Sequence, residues 1–237
     1  MKNKDTYVKF LGSINYESAL NLQKELFQEK IDVKLENRKN DSSIKITNHL
    51  LVCEHPHVYT LGRSGDKSHL LVNDQSLEAQ DAQFFEVGRG GDITYHGPGQ
   101  LVIYPILDLD NFFTDIHKYL RLLEEAIILT LAEYNVSAGR IDGLTGVWID
   151  HEEQVNPRKI CAMGVKASRW ITMHGLALNI NTDLNYFNNI VPCGINDKTV
   201  TALNKEVKLK VVDLQEVAKK LVKHIGHLFE MNLIINT

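Results

Sequence analysis

Apolar residues in this chain recur with two periods, and the switches between them predict its elements. Tyr7 to Leu11 alternates as a short strand does, while Ala19, Leu20, Leu22, Gln23, Leu26 and Phe27 fall at helical spacing within Tyr16 to Lys30, a βα opening. Asp32 to Ser43 is charged and poor in apolar residues, and reads as an exposed linker within the domain. Strand patterns return at His49 to Cys53 and Val58 to Leu61 around a turn at Glu54 to His57, and Gly62 to Gly65 opens a loop. Gln83 to Val87 leads as a further strand into Arg89 to Leu109, the stretch around which the chain is organised.

That stretch joins a backbone-permissive turn to an apolar strand. Gly88, Gly90 and Gly91 remove Cβ atoms where Arg89, Asp92, Thr94, Tyr95 and His96 gather, so a ligand can approach main-chain N–H groups. Gly97-Pro98-Gly99 predicts a second tight turn, and Leu101 to Leu107 a buried strand that Pro105 places at a sheet edge or ends. An ordinary glycine-rich hairpin is the alternative reading.

Beyond it, Thr114 to Tyr134 is the longest helical pattern, with Ile116, Leu120, Leu123, Ile127 and Leu131 on one face. Val147 to Ile149, Arg158 to Val165 and Thr172 to Ile180 read as strands, with His151 to Pro157 a loop and with Lys159 and Cys161 on one side of theirs. Asp213, with Glu216 at capping-box spacing, opens a last amphipathic helix to about Phe229. The expected fold class is α+β: one domain over residues 1–237, with mixed sheets packed by helices.

Composition narrows the function. A net charge of −4 argues against a nucleic-acid partner met by a broadly basic surface. No window reaches membrane-spanning length and the N-terminus lacks a signal-peptide core, so a cytosolic location away from membranes is expected. Three cysteines, an odd number without paired spacing, fit a reducing compartment.

No Walker motif is present and no GxGxxG opens a helix. Cys53, His55 and His57 alternate and would share a face suited to zinc, but Pro56 breaks the strand and no fourth ligand follows, so a turn with solvated histidines is the better account and no metal is expected. Cys53 and Cys161 sit in apolar patterns where a thiol behaves as a small hydrophobe. Cys193, between Pro192 and Gly194, has the fixed and approachable backbone a nucleophile needs. A free thiol with pKa of about 8.5 is only slightly ionised near neutral pH and needs a cationic neighbour. Gln154 to Thr182 supplies Arg158, Lys159, Lys166 and Arg169 with no acidic residue, read either as a solvated face or as the source of that neighbour.

Here the sequence resembles a family. Arg89-Gly90-Gly91 with Thr94-Tyr95-His96-Gly97-Pro98-Gly99-Gln100, Lys159-Ile160 with Gly164, His174-Gly175 with Ala177 and Asn179, and Pro192-Cys193-Gly194 are, in that order, similar to the lipoyl(octanoyl) transferases. Glu54-His55-Pro56 with Val58-Tyr59-Thr60-Leu61-Gly62 is similar too, so the match covers nearly the whole chain. His57 stands where proline is expected, and Asp32 to Ser43 looks like a local extension.

The resemblance implies a fold shared with the catalytic domains of biotin and lipoate protein ligases. It implies a cofactor-free acyltransferase that moves octanoyl from octanoyl-acyl carrier protein, through a cysteine thioester, to a lysine of lipoyl domains in 2-oxoacid dehydrogenase complexes and the glycine cleavage H protein. By motif, Cys193 would be the nucleophile and Lys159 the residue that lowers its pKa. Arg89, Gly90, Gly91, Asp92, Ile93, Thr94, Tyr95 and His96, then Ala162, Met163 and Gly164, then Gly175, Leu176 and Ala177 would line the substrate site. The rivals are an ATP-dependent ligase of the same fold and a non-catalytic acyl-protein binding module.

Overall fold

Both faces of the central strands are covered, which is why they read as continuous apolar runs rather than as alternation. The computed structural model describes residues 2–191 and 199–235. Its strands are β1 (Asp5–Ser13), β2 (Asn48–Glu54), β3 (Val58–Leu61), β4 (Gln83–Glu86), β5 (Ile93–His96), β6 (Gln100–Ile106), β7 (Gly139–Ile141), β8 (Leu144–Ile149), β9 (Arg158–Ser168), β10 (Ile171–Asn179), β11 (Thr199–Val200) and β12 (Asn232–Ile235). Its helices are α1 (Tyr16–Asn40), α2 (Asp74–Ala79), α3 (Ile116–Ala132), α4 (Leu203–Glu206) and α5 (Leu214–Leu228).

Among the described residues the large sheet runs β12-β1-β2-β6-β10-β9-β8-β7, with β11 added beside β9, and a small sheet runs β4-β3-β5. Leu50, Val52, Leu101, Ile103, Leu176 and Leu178 pack one face of the large sheet against α3 and α5. The intervening Leu51, Cys53, Val102, Tyr104 and Ala177 pack the other face against Ala19, Leu20, Leu26 and Phe27 of α1. The period of two therefore sorts each strand between two helical layers, an α+β arrangement. No described helix is long and apolar enough to cross a membrane.

Three sequence expectations are corrected. The supposed linker from Asp32 is helix as far as Asn40, closed by Asp41 in the left-handed region at φ 50°. Lys34, Leu35, Glu36 and Arg38 are strong helix formers, and Lys34 ties this extension down at 2.6 Å from Asp108 and 2.7 Å from Asp110. Its exposure, not a loss of helix, removed the apolar pattern.

Pro105 is not at an edge. β6 lies between β2 and β10, fully buried, although it does end one residue later. The flanking pairs Leu176↔Ile103 and Asp108↔Ile171 set Pro105 opposite His174, where the proline has no N–H to offer. His174 turns left-handed there, at φ 59°, and its N–H is accepted instead by Gln23 Oε1 of α1 at 3.0 Å. The Thr172 hydroxyl donates to the Pro105 carbonyl at 2.8 Å, so the gap in the ladder leaves few orphan groups. A Cβ on the next residue, Gly175, would overlap the Ile103 carbonyl oxygen and come within 2.7 Å of Pro105 Cδ. Gly175→Ala is accordingly expected to lose about 2–3 kcal/mol of stability by overpacking backbone that cannot retreat, measured as a lowered denaturant midpoint at unchanged slope.

Nor are the turn histidines solvated as a set. His55 is fully buried, donating from Nδ1 to the Ile14 carbonyl at 2.8 Å and accepting at Nε2 from the Tyr104 hydroxyl at 2.7 Å. Burial holds its pKa down to about 4, so the ring stays neutral. Among the described residues no cluster of His, Cys, Asp or Glu is arranged to hold a metal ion.

Candidate active site

The glycine-rich loop before β5 is wedged between β3 and β9 by backbone contacts that side chains would forbid. Arg63 N–H donates to the Arg89 carbonyl at 2.9 Å, and Gly90 N–H to the Val165 carbonyl at 2.9 Å. A Cβ on Gly62 would overlap the Gly91 carbonyl oxygen, and one on Gly164 would sit 2.7 Å from the Gly90 oxygen. Gly164 is thus needed for the loop to approach β9, and Gly90 N–H is already engaged rather than offered to a ligand.

Arg89 pins this loop from inside. Its Nη2 donates to the Thr60 carbonyl at 2.6 Å and hydroxyl at 2.8 Å, and its Nη1 to the carbonyls of Gly90 at 3.0 Å and Asp92 at 2.8 Å. A planar fork reaches β3 and the loop at once, and a lysine ammonium does not. Arg89→Lys is expected to cost about 2 kcal/mol of stability and to raise amide hydrogen exchange selectively over residues 88–92.

Loop, small sheet and β6, β9 and β10 enclose a cavity of about 480 Å³. Thirteen of the fourteen substrate-site residues expected from sequence line it: Arg89 to Thr94, His96, Ala162 to Gly164, and Gly175 to Ala177. Tyr95 departs. It alternates to the far side of β5, where its hydroxyl meets His57 Nδ1 at 2.7 Å and its ring stacks on Tyr186 at 5.0 Å. His57 also stacks on Tyr186 at 4.1 Å and so braces the turn Leu184–Asn189.

The cavity floor is apolar, made of Val102 and Ala177, which are paired across β6 and β10, and Ala162, which pairs with Ala177 across β9. One end carries Lys159. Its residue pairs with Val200 of β11, its carbonyl accepts from Thr201 N–H at 3.0 Å, and its ammonium lies 4.6 Å above the Trp148 ring centroid. Beside it, Gln100 Nε2 donates to Asn179 Oδ1 at 2.9 Å, and Asn179 Nδ2 to the Thr201 carbonyl at 3.0 Å. Gln100 Oε1 is thereby left to accept from His96 Nδ1 at 2.8 Å, which fixes the tautomer of His96 with its Nε2 lone pair free.

The other end carries Tyr16, Tyr104 and His174, none of them among the fourteen. No local motif marks Tyr16, which comes from the start of α1 and reaches the site only through helix packing. Burial pushes the Tyr16 hydroxyl up to about 12. Burial first, then the field of Arg89, Lys166 and Lys24, holds His174 down to about 3.

The two buried thiols behave as expected from sequence. Cys53 and Cys161 lie in the core, and burial drives both thiol pKa values far up, leaving no useful thiolate. Cys193 lies outside the described residues. Of the basic segment, Arg158 forms a fork to Glu206 at 3.1 and 3.0 Å, a structural pairing, whereas Lys159 faces the cavity.

A model of the lipoyl protein ligase A/B catalytic domain matches residues 15–226. An octanoyltransferase of Flavobacterium johnsoniae is 57% identical over 98% of this chain and 100% of its own length. One of Bacteroides thetaiotaomicron is 48% identical over 91% of each. Among solved structures, a bi-partite lipoate protein ligase of Thermoplasma acidophilum aligns at TM-score 0.69 and 16% identity, covering 100% of this chain and 88% of that one. The biotin protein ligase of Aquifex aeolicus, solved with biotin and ATP, aligns at TM-score 0.54 and 15% identity over 97% of this chain and 71% of that one. These last two are likenesses of fold.

Proposed function

This chain belongs to the lipoyl protein ligase A/B catalytic domain family and is an octanoyltransferase of protein lipoylation; we propose that it takes octanoyl from octanoyl-acyl carrier protein onto Cys193 and passes it to a lipoyl-domain lysine in the cytosol. The reading is carried by the apolar cavity that ends at Lys159. Both described flanks of residues 192–198 support it: Val200 is paired to Lys159, and Val191 N–H donates to the carbonyl of His69, whose ring holds Asp92 of the cavity at 2.6 Å.

In the first half, Lys159 ammonium favours the Cys193 thiolate, which attacks the thioester carbonyl. The tetrahedral intermediate collapses to a new thioester as the pantetheine sulfur leaves with a proton from Lys159. In the second half, neutral Lys159 accepts a proton from the incoming ammonium, whose ordinary pKa is about 10.4. The free amine attacks the acyl-cysteine, the tetrahedral intermediate expels Cys193 as thiolate beside the reprotonated Lys159, and the second proton of the nitrogen passes to solvent as the amide forms. Burying the alkyl chain at about 0.8 kcal/mol per methylene supplies roughly 5 kcal/mol, enough to hold the acyl group between the halves.

Incubation with octanoyl-acyl carrier protein in the absence of ATP should add one octanoyl mass to the intact chain. An adduct that forms only from free octanoate and ATP would assign the chain to ligase chemistry instead.

A further inference from the structure

A buried carboxylate that the transfer mechanism leaves unused is bonded to the backbone on which Lys159 rests. Glu124 of α3 is 0% exposed, and Leu120, one helical turn before it on the same face, lines the cavity. Glu124 Oε2 accepts from Arg121 Nη1 at 2.7 Å and from Arg140 Nε at 3.0 Å, and Arg140 is tied further to Glu125 Oε2 at 2.7 Å and to the Arg121 carbonyl at 2.8 Å. The other oxygen, Oε1, accepts the Gly146 N–H at 2.9 Å. The β8–β9 ladder starts one residue later, at the pair Val147↔Cys161, so this N–H is taken by a side chain rather than by the neighbouring strand. A Cβ on Gly146, whose φ is 115°, would come within 2.6 Å of the Cys161 carbonyl oxygen, and Lys159 Cε lies 3.5 Å from that Cβ position, so the lysine stem passes over bare backbone. The register shifts between Val147 and Trp148, which sets Trp148 opposite Lys159 with its ring centroid 4.6 Å from the ammonium. Gly143, Leu144 and Thr145, the tip of the same hairpin, line the cavity itself.

We propose that Glu124 is a positioning residue for Lys159: from α3 it pins the β8 backbone under the lysine stem, and so keeps the ammonium at its end of the cavity. The role rests on the acid–base assignment of Lys159 given above. The two arginines, with side chains 48% and 30% exposed, could pair with a surface acid, whereas a fully buried carboxylate is stripped of water on both oxygens. What a surface acid cannot do is reach the Gly146 N–H. Without an acceptor there, that N–H is stranded away from water, and the hairpin must shift to satisfy it, taking Trp148 and the seat of the lysine along. A displacement of about 1 Å at a group that exchanges protons with two successive partners lowers the rate by up to about a hundredfold. The apolar floor on β6, β9 and β10 is untouched, so the loss falls on kcat rather than on KM.

Transfer from octanoyl-acyl carrier protein to a lipoyl domain is measured at pH 7 in two variants of the full chain that both carry Arg140→Met, so that neither strands a buried charge while Arg121 turns to water. Glu124→Gln keeps an oxygen for the Gly146 N–H, and Glu124→Met, of similar volume, keeps none. Glu124→Gln should hold kcat within about threefold of wild type, and Glu124→Met should lose about ten- to a hundredfold in kcat with KM for the carrier changed less than about twofold. In the acylation half-reaction, where Lys159→Met retains a measurable rate, adding Lys159→Met to Glu124→Met should cost little more than Lys159→Met alone, because a residue that acts through another then has nothing to act on. Equal kcat in Glu124→Gln and Glu124→Met, or losses at 124 and 159 that multiply in full, overturns the proposal. Should Glu124→Met not fold, Glu124→Asp with Arg140 left in place keeps the charge and withdraws the acceptor by one methylene. It should show the same loss in kcat, and wild-type kcat in it overturns the proposal equally. If Lys159→Met alone transfers at wild-type rate, the acid–base reading of Lys159 falls and this role with it, whereas a failure confined to the variants at 124 leaves that reading standing.

Discussion

Cys193→Ala is expected to end octanoyl transfer, and with it the single octanoyl adduct acquired from octanoyl-acyl carrier protein. The loss should be at least about a thousandfold, because the proposed nucleophile would divide one difficult acyl exchange into two easier ones and no other thiol among the described residues is ionised to supply that covalent route. The other thiols are internal controls. Burial keeps Cys53 and Cys161 protonated in the core, so the adduct should persist in Cys161→Ala and vanish only in the Cys193 variant. Peptide mass mapping after digestion locates it. An adduct on Cys193→Ala, or transfer at wild-type rate in that variant, would remove the thioester from the mechanism and favour direct attack by the acceptor amine on the carrier.

Much of the cavity was legible in sequence because its residues come in short contiguous motifs whose geometry is local. Strand alternation and the glycine-rich run at 88–91 marked the loop and the strand after it, and thirteen of the fourteen expected lining residues do line one cavity. What escaped depends on contacts between distant segments. Tyr16 enters from α1, and nothing near it in sequence distinguishes it from a helix-capping core aromatic. Pro105 argued for an edge because a proline breaks the ladder, yet Thr172 and the His174–Gln23 bond satisfy the neighbours it abandons. Tyr95 sits one residue from His96 in the same motif, but the pleat sends the two side chains to opposite sides of β5. His55 was read as solvated because its turn is polar, while its partners Ile14 and Tyr104 lie 41 and 49 positions away.

Lys159→Ala is expected to change the pH dependence of transfer as well as its rate, and the two half-reactions should respond differently. Without an ammonium beside it, Cys193 reverts toward the ordinary thiol value of about 8.5, so at pH 7 only a few per cent is thiolate. Acylation by octanoyl-acyl carrier protein should then fall by about one to two orders of magnitude and climb about tenfold per pH unit until near pH 8.5, where the thiol ionises unaided. The second half should suffer more, since the acceptor lysine keeps its proton up to about 10.4 and the variant has no base to remove it. Acyl-enzyme should consequently accumulate in the variant at high pH, whereas in the wild type it is discharged as fast as it forms. Stopped-time intact mass across pH 6 to 10 resolves the two phases. Because Lys159 also rests on the Trp148 ring, Lys159→Met, which retains the aliphatic stem, separates charge from packing: it should repeat the kinetic defect while leaving the thermal midpoint close to wild type. A variant that acylates at wild-type rate and pH profile but fails to discharge would confine Lys159 to the second half. One that performs both at wild-type rate would transfer the activation of Cys193 to another cation.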